Sequence, residues 1–364
     1  MSKLDKLKIQ GFKSIREAEI SLTDINVLIG PNAIGKSNFI SLFNLFNSLI
    51  KEELQNYVAK SGGADSLLHY GSKETSKMEF ELFFGQNSYR IVLEPTHDDK
   101  LLISKEYCRF HKKGYDTPYT EKIGSSNFES NLNKKVRKNL RRRVPYYVQD
   151  ALKNWKVYHF HDTSDDAGVK KTCKIDDNIS LKKDASNLAA FLYRLKETAP
   201  ENYSLIERTV KRIIPFFGRF ELHPSRLNED TIKLEWREQG NDKYFNANDL
   251  SDGTIRFISL ATLLLQPSLP STIIIDEPEL GLHPKAISIL GSLFRKASHR
   301  TQLIISTQSV NLVNEFDPSD IMVLDRQDAQ TKFEHLDLES LNNWLEDYSI
   351  GEIWEKNLIG GRPQ

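Results

Sequence analysis

Cysteine is scarce in this 364-residue chain, which carries only Cys108 and Cys173. Neither stands in a metal-ligand spacing, and two reduced thiols in a cytoplasmic protein are expected rather than a disulfide framework. Net charge is absent as well, since 50 Lys and Arg balance 50 Asp and Glu. No whole-molecule field therefore draws in nucleic acid or an anionic surface, and any such binding must use a local patch. No apolar run approaches the ~20 residues needed to cross a bilayer. The opening Met1-Ser2-Lys3-Leu4-Asp5-Lys6 has no signal-peptide apolar core. Internal repeats and long low-complexity tracts are also missing. The composition is that of a soluble globular protein, long enough for two domains or for one domain with an insertion.

Against this background one stretch stands out, Ile29-Gly30-Pro31-Asn32-Ala33-Ile34-Gly35-Lys36-Ser37-Asn38. Its form is G-x-x-x-x-G-K-S. Ile25, Val27, Leu28 and Ile29 precede it as a run suited to a buried parallel strand. Phe39, Leu42, Phe43, Phe46, Leu49 and Ile50 follow at helical spacing. Strand, loop and helix in that order distinguish a working phosphate loop from a chance match. Glycines let backbone N–H groups close on phosphate oxygens at the positive end of the new helix. Lys36 can reach the outer phosphates, and the Ser37 hydroxyl can ligate Mg²⁺.

Around the loop the sequence alternates. Lys6–Phe12 reads as a half-buried strand with Ala18–Leu22 as its hairpin partner, and Ser61-Gly62-Gly63-Ala64 breaks the chain after the loop helix. Met78–Phe84 and Tyr89–Leu93 flank a turn at Gly85-Gln86-Asn87-Ser88, a hairpin signal that Leu101–Phe110 can extend. Between about Lys105 and Arg143 basic residues dominate, with Lys134, Lys135, Arg137, Lys138, Arg141, Arg142 and Arg143 near its end. Helical spacing is expected from Phe128 to Leu140. Such a helix is either a solvated face or a basic arm laid on a nucleic-acid backbone. Trp155–Phe160 is strand-like. His159, His161, Asp162, Asp165 and Asp166 crowd the end of this strand and the residues after it. The alternation and the turn-like Asp162-Thr163-Ser164 favour a cap over a metal site. Helices are expected at Ala185–Glu197 and Tyr203–Ile214, then strands at Arg219–Leu222 and Thr231–Trp236.

The last third holds a second group of signals. Leu250-Ser251-Asp252-Gly253 is a polar turn opening into an apolar helix, able to hold an anion at its N-terminus. Thr272–Ile275 is an apolar strand ending in Asp276 and Glu277. Acids gather at strand C-termini beside a phosphate loop. There Asp276 can hold Mg²⁺ and Glu277 can orient or deprotonate an attacking water. Leu303–Ser309 is another apolar strand, placing Gln308 toward the γ-phosphate, and Ile321–Asp325 is a further one.

Together these motifs resemble an ABC-type ATPase of the SMC/RecF-like branch, which includes the overcoming-lysogenization-defect ATPases. Gly30–Ser37 matches Walker A, Leu250–Gly253 the signature motif, Ile273–Glu277 Walker B, and Glu279–His283 the D-loop region of that branch. Leu7–Ile15 is similar to its "F-K-S" opening strand. Likeness extends over nearly the whole chain, through Trp344–Ser349 and the terminal Gly360-Gly361-Arg362-Pro363. The resemblance implies an α/β P-loop head, a mixed sheet plus an antiparallel β lobe, with an inserted and mainly helical arm. Its parts would be 1–104 with Walker A, an arm at 105–218, and 219–364 with signature, Walker B and switch strand. At about 1.5 Å per helical residue the arm is too short for a long coiled coil.

The resemblance also implies an ATP- and Mg²⁺-dependent ATPase working as a homodimer of heads. Gly30, Pro31, Asn32, Gly35, Lys36, Ser37 and Asn38 would hold ATP. Ser251 and the Gly253 amide would complete the opposite copy's site. Ser37 and Asp276 would hold the metal, with Glu277, Lys36 and Gln308 catalytic. Gln308 departs from the common switch histidine; it can hydrogen-bond phosphate but cannot titrate as a switch. No Q-loop glutamine is placed. The leading expectation is a DNA-associated ATPase of genome maintenance or defence against mobile elements, using the Lys134–Arg143 stretch and acting with a separate effector. A regulatory subunit that hydrolyses slowly and controls a nuclease is the alternative. The ATPase subunit of a membrane transporter is the weaker one, since the opening strand, the arm and the missing switch histidine count against it, and no membrane partner is expected.

Overall fold

The computed structural model describes residues 3–112, 114–138, 143–336 and 338–361. The chain opens with the hairpin β1 (Lys6–Phe12) and β2 (Ile15–Ser21), closed by a two-residue turn in which Lys13 takes φ +47°. Next come β3 (Ile25–Ile29), α1 (Lys36–Lys51) and α2 (Leu54–Lys60). Four antiparallel strands follow: β4 (Met78–Phe84), β5 (Asn87–Pro95), β6 (Leu101–Phe110) and β7 (Tyr119–Gly124). Then come α3 (Leu132–Lys138), α4 (Val144–Lys153), β8 (Trp155–Tyr158) and β9 (Cys173–Lys174). Beyond them lie α5 (Leu188–Thr198), α6 (Pro200–Ile213), β10 (Phe217–Glu221), β11 (Pro224–Ser225), β12 (Asn228–Ile232), β13 (Glu235–Glu238) and β14 (Tyr244–Asn246). The chain continues with α7 (Asp252–Leu265), β15 (Thr272–Asp276), α8 (Pro284–Ser298), β16 (Gln302–Ser306) and α9 (Val310–Val313). It closes with β17 (Ile321–Gln327), β18 (Gln330–His335), α10 (Leu338–Leu345) and α11 (Ile350–Glu355).

Two six-stranded sheets organise these elements. One is antiparallel, in the order β2-β1-β4-β5-β6-β7; the other runs β18-β17-β3-β16-β15-β8, parallel except for β18. The central strands of the parallel sheet are covered on both faces, which is why they are mostly apolar. Leu28, Ile274 and Ile304 point into a core shared with α1 and the antiparallel sheet. Their neighbours Val27, Ile29, Ile273, Ile275, Leu303 and Ile305 point into a second core built with α5–α8. The period of two is the pleat itself.

Several expectations change here. The boundary at 104/105 falls inside β6, and β7 pairs with β6 from Phe110↔Tyr119 onward. Trp155–Tyr158, in the middle of the expected arm, is the edge strand of the parallel sheet, with Trp155 opposite Thr272. Residues 105–218 are thus woven into both sheets as well as supplying α3–α6, and do not form a separate arm. The four-residue β8 gave too short a run for sequence periodicity to assign it to that sheet.

The helix expected over Phe128–Leu140 begins only at Leu132, and Leu140 lies outside the described residues. The Glu129 carboxylate accepts from the Leu54 and Gln55 amides at 2.8 and 3.1 Å, capping α2 instead. Ser130 Oγ takes the Leu132 amide at 3.1 Å. Thr231–Trp236 also splits into β12 and β13, which belong to different small sheets.

Trp155 ties the two sheets together. It is fully buried, its ring 5.1 Å from Phe43, 6.0 Å from Phe46 and 5.9 Å from Phe84. Trp155→Ala is expected to lower folding stability by about 3–5 kcal/mol, as large-to-small changes in closed aromatic cores do. Chemical denaturation followed by far-UV circular dichroism measures it.

Candidate active site

The loop between β3 and α1 holds its shape through two glycines and a buried lysine. Gly30 takes φ +153° and Gly35 φ +116°. A Cβ on Gly30 would sit 2.6 Å from the Leu324 carbonyl oxygen. One on Gly35 would sit 2.3 Å from Thr331 Oγ1 and 2.7 Å from Ser14 Oγ. Those hydroxyls are fixed: Thr331 Oγ1 donates to the Ile34 carbonyl at 2.7 Å, and Asn38 Nδ2 donates to Ser14 Oγ at 2.9 Å. Gly35 is the N-cap of the 16-residue α1 and no side chain caps it. The first amides of the helix are therefore presented to the loop, with the helix dipole behind them.

Gly35→Ala should strain the loop by about 1–3 kcal/mol, enough for roughly 10- to 100-fold weaker nucleotide binding. Titration with a fluorescent ATP analogue reads this directly.

Lys36 is 6% exposed, and its ammonium donates to the Gly30 and Pro31 carbonyls at 2.5 and 2.9 Å. Burial holds its pKa below the ordinary lysine value, opposed by the charges of Glu277, Asp276 and Glu279. Those three acids come from the end of β15 and the turn after it. Asp276 ends the strand. Glu277 turns out of it at φ +42°, its amide donating to the Ser306 carbonyl at 2.8 Å. That bond ties the end of β15 to β16, and Gln308 just past β16 donates its side-chain amide to the Glu277 carboxylate. Pro31, Asn32, Ser37 and Asn38 lie on the accessible side of the same loop and first helical turn.

Sequence reading gave no individual role to Glu279. Its carboxylate takes the Thr307 hydroxyl at 2.5 Å and the Gln308 amide at 3.2 Å, while Oε2 is buried with no partner among the described residues. Burial pushes its pKa above the usual carboxylate range. Thr331 and Ser14 were likewise not assigned as loop supports; their signal is tertiary, since 317 residues separate them. His161 serves structure: Nε2 meets the Asp276 carbonyl at 2.7 Å, which requires the ring to donate there. Among the described residues no group of His, Cys, Asp or Glu is placed to hold a metal by itself.

The signature residues lie elsewhere. Ser251 is exposed and N-caps α7, its Oγ accepting from the Thr254 amide at 3.3 Å. Gly253 packs against the turn after the acids, where a Cβ would meet the Gly281 carbonyl oxygen at 2.1 Å. Arg256 locks this junction. It is buried and donates to the Phe160 carbonyl at 2.8 Å, to the His161 carbonyl at 3.1 Å and to the Leu280 carbonyl. No hydrogen bond among the described residues joins Ser251 or Gly253 to residues 30–38. The structure thus gathers Gly30, Gly35, Lys36, Asp276, Glu277 and Gln308 around one loop, and leaves the signature turn as a second, outward surface.

The residues fit a nucleoside triphosphate with Mg²⁺. Gly30 and Gly35 let the loop turn tightly against Leu324, Thr331 and Ser14, where a Cβ would clash, Lys36 is anchored within it, and the charges of the acids reach Lys36. Beside the loop a cleft of about 400 Å³ is lined by Lys13, Ser14, Asn38, Tyr70, Arg326 and Thr331 among others. Tyr70 donates its hydroxyl to the Ala329 carbonyl at 2.9 Å, and Arg326 Nη2 donates to that hydroxyl at 3.2 Å.

A family model described as "AAA domain, putative AbiEii toxin, Type IV TA system" matches residues 25–314. Among solved structures, an SMC head bound to the C-winged helix domain of ScpA is 17% identical with a TM-score of 0.59. That alignment covers 93% of this chain and 99% of the other. An SMC head with an extended coiled coil, bound to the C-terminal domain of ScpA and derived from Pyrococcus furiosus, is 15% identical with a TM-score of 0.56, covering 95% and 99%. An SMC head with a coiled coil and joint from Pyrococcus yayanosii is 12% identical with a TM-score of 0.52, also covering 95% and 99%. At these identities the likeness is one of fold. Comparison with curated proteins by sequence finds no match. The matched family, the head fold and the assembled loop and acids agree, and the chain belongs to that AAA-domain family as an ATPase, with the fold of an SMC head.

Proposed function

We propose that the chain works as a pair of heads that close on ATP, each copy's signature turn completing the other's site. The observation that carries this reading is the split within one head. Lys36, Asp276 and Glu277 converge, while Ser251 faces outward with no bond to its own loop. In a closed pair, Ser251 Oγ and the Gly253 amide at the α7 N-terminus would meet the γ-phosphate held by the opposite Lys36. Ser37 and Asp276 would hold Mg²⁺, which when bound neutralises charge developing on the phosphates. Glu277 takes the proton of the attacking water, and Gln308 positions it through the amide it already gives to that carboxylate. Tyr70 and Arg326 would border the nucleoside. The test is ATP turnover per head against protein concentration: a rate that rises with concentration and saturates supports the pair, and a constant rate down to dilute protein contradicts it.

The reading extends to association with DNA and to work with a separate effector in genome maintenance or defence against mobile elements. Lys134, Arg137 and Lys138 on α3 and Arg143 are exposed, while Arg141 and Arg142 of that stretch lie outside the described residues. The family's description, with its toxin of a type IV toxin–antitoxin system, supports a defence role. Heads of the same fold have been solved bound to ScpA domains, which supports a partner protein. One observation favours the regulatory alternative with slow hydrolysis: Gln308 cannot titrate, and its amide is committed to the base. No helix among the described residues is long and apolar enough to cross a membrane.

A further inference from the structure

Along the edge strand β8 the fold leaves a polar groove of about 520 Å³ that the ATPase chemistry does not use. The C-terminal half of α1 and the helix α2 form one wall, β8 the floor, and residues 180–183 the other wall. At 1.5 Å per residue, Lys51 at the end of α1 lies about 22 Å from the phosphate loop.

The charge of this groove is one-sided. Lys51, Lys60, Lys156, Lys182 and Lys183 line it against a single acid, Glu53, in a chain whose total charge is zero. Lys182 is neutralised by Asp177. Lys51, Lys60, Lys156 and Lys183 are exposed and make no ion pair among the described residues. Partial burial, and then the charge of Lys51, hold the Lys156 pKa below its ordinary value. Surface lysines kept only for solubility are normally interspersed with acids. Gathering four of them unpaired in one concavity raises the local potential and concentrates anions there.

The remaining lining narrows the ligand. Asn44, Asn47 and Asn56 add amides suited to phosphate and sugar oxygens. Of the rings along the groove, Trp155 is fully buried, Tyr57 is half-buried with its hydroxyl tied to the Ser41 carbonyl at 3.0 Å, and His159 is half-buried. A groove dominated by ammonium and amide donors suits a repeating sugar–phosphate backbone.

We propose that the β8 groove is a nucleic-acid backbone site, held by Lys51, Lys60, Lys156 and Lys183 without sequence readout. The proposal rests on the reading that the chain associates with DNA, and moves the main contact from residues 134–143 to the edge of the ATPase sheet. The experiment measures binding of a labelled 30-base-pair duplex to the full chain by fluorescence anisotropy across a salt series. Three proteins are compared: wild type, Lys51→Gln/Lys156→Gln/Lys183→Gln, and Lys134→Gln/Arg137→Gln/Lys138→Gln. ATP turnover serves as the folding control, since none of these residues touches the phosphate loop or its acids. The expected result is that the groove variant keeps its ATPase, loses affinity, and has a log K against log salt slope shallower by about 3. The α3 variant should retain most of the binding. Unchanged binding in the groove variant with loss in the α3 variant overturns the groove and leaves DNA association standing. Absence of duplex binding by wild type at low salt overturns both.

Discussion

Glu277→Gln is expected to slow ATP turnover by about 10²- to 10⁴-fold, the range lost when a positioned general base is removed, with nucleotide affinity nearly unchanged. The substitution keeps the size and shape of the side chain and takes away its negative charge and its capacity to accept a proton. Around Glu277 the structure spends conformational energy. The residue sits at φ +42°, a region costly for a non-glycine residue, and its amide is pinned to the Ser306 carbonyl. Such an arrangement aims the carboxylate out of the strand end, toward the side where Lys36 senses its charge. Binding should survive because Gly30, Gly35 and Lys36 form the cradle without help from Glu277. Steady-state phosphate release and equilibrium nucleotide titration separate the two quantities. Normal turnover in the variant would remove Glu277 as the base.

Ser251→Arg is expected to reduce turnover by at least about 10²-fold, the usual cost of losing one preorganised donor to a developing anion, again without weakening ATP binding to the isolated head. Two effects must be kept apart. Ser251 N-caps α7, so its loss also costs about 0.5–2 kcal/mol of stability. Ser251→Asn retains a capping side chain without the arginine bulk; it should restore stability and leave turnover reduced less severely than Ser251→Arg. A Ser251→Arg protein with wild-type turnover would place the signature outside the reaction.

The parts of this molecule written in contiguous residues were legible in the sequence. Gly30–Ser37 needs only its flanking strand and helix to be recognised, because glycine at fixed offsets and helical spacing after Lys36 are local signals. The hairpin β4–β5 and the strand–acid junction at Asp276 were legible for the same reason. What escaped was tertiary. β8 is four residues long and joins its sheet 114 positions before its partner β15 begins, so it read as part of an insertion. Glu129 looked like a residue of a basic helix, yet it caps α2, 75 positions away from Leu54. Glu279 was legible only as the start of the stretch resembling a D-loop, and its burial beneath Thr307 gives it a structural role. Arg256 shows the limit most plainly: its three carbonyl partners come from β8's exit and the turn after Glu277, which no spacing rule relates to α7.

The phosphate loop that dominates the sequence is therefore complete in its own head as a binding cradle, and incomplete, on this account, as a catalytic site. Mixing two inactive proteins tests that claim most directly. Lys36→Ala removes the loop's cation and keeps the signature; Ser251→Arg removes the signature and keeps the loop. In a mixed pair, the wild-type loop of the second faces the wild-type signature of the first. The account predicts that the mixture hydrolyses ATP although neither protein does so alone. No activity beyond the sum of the two, with both proteins folded and the Ser251→Arg protein still binding ATP, would contradict it.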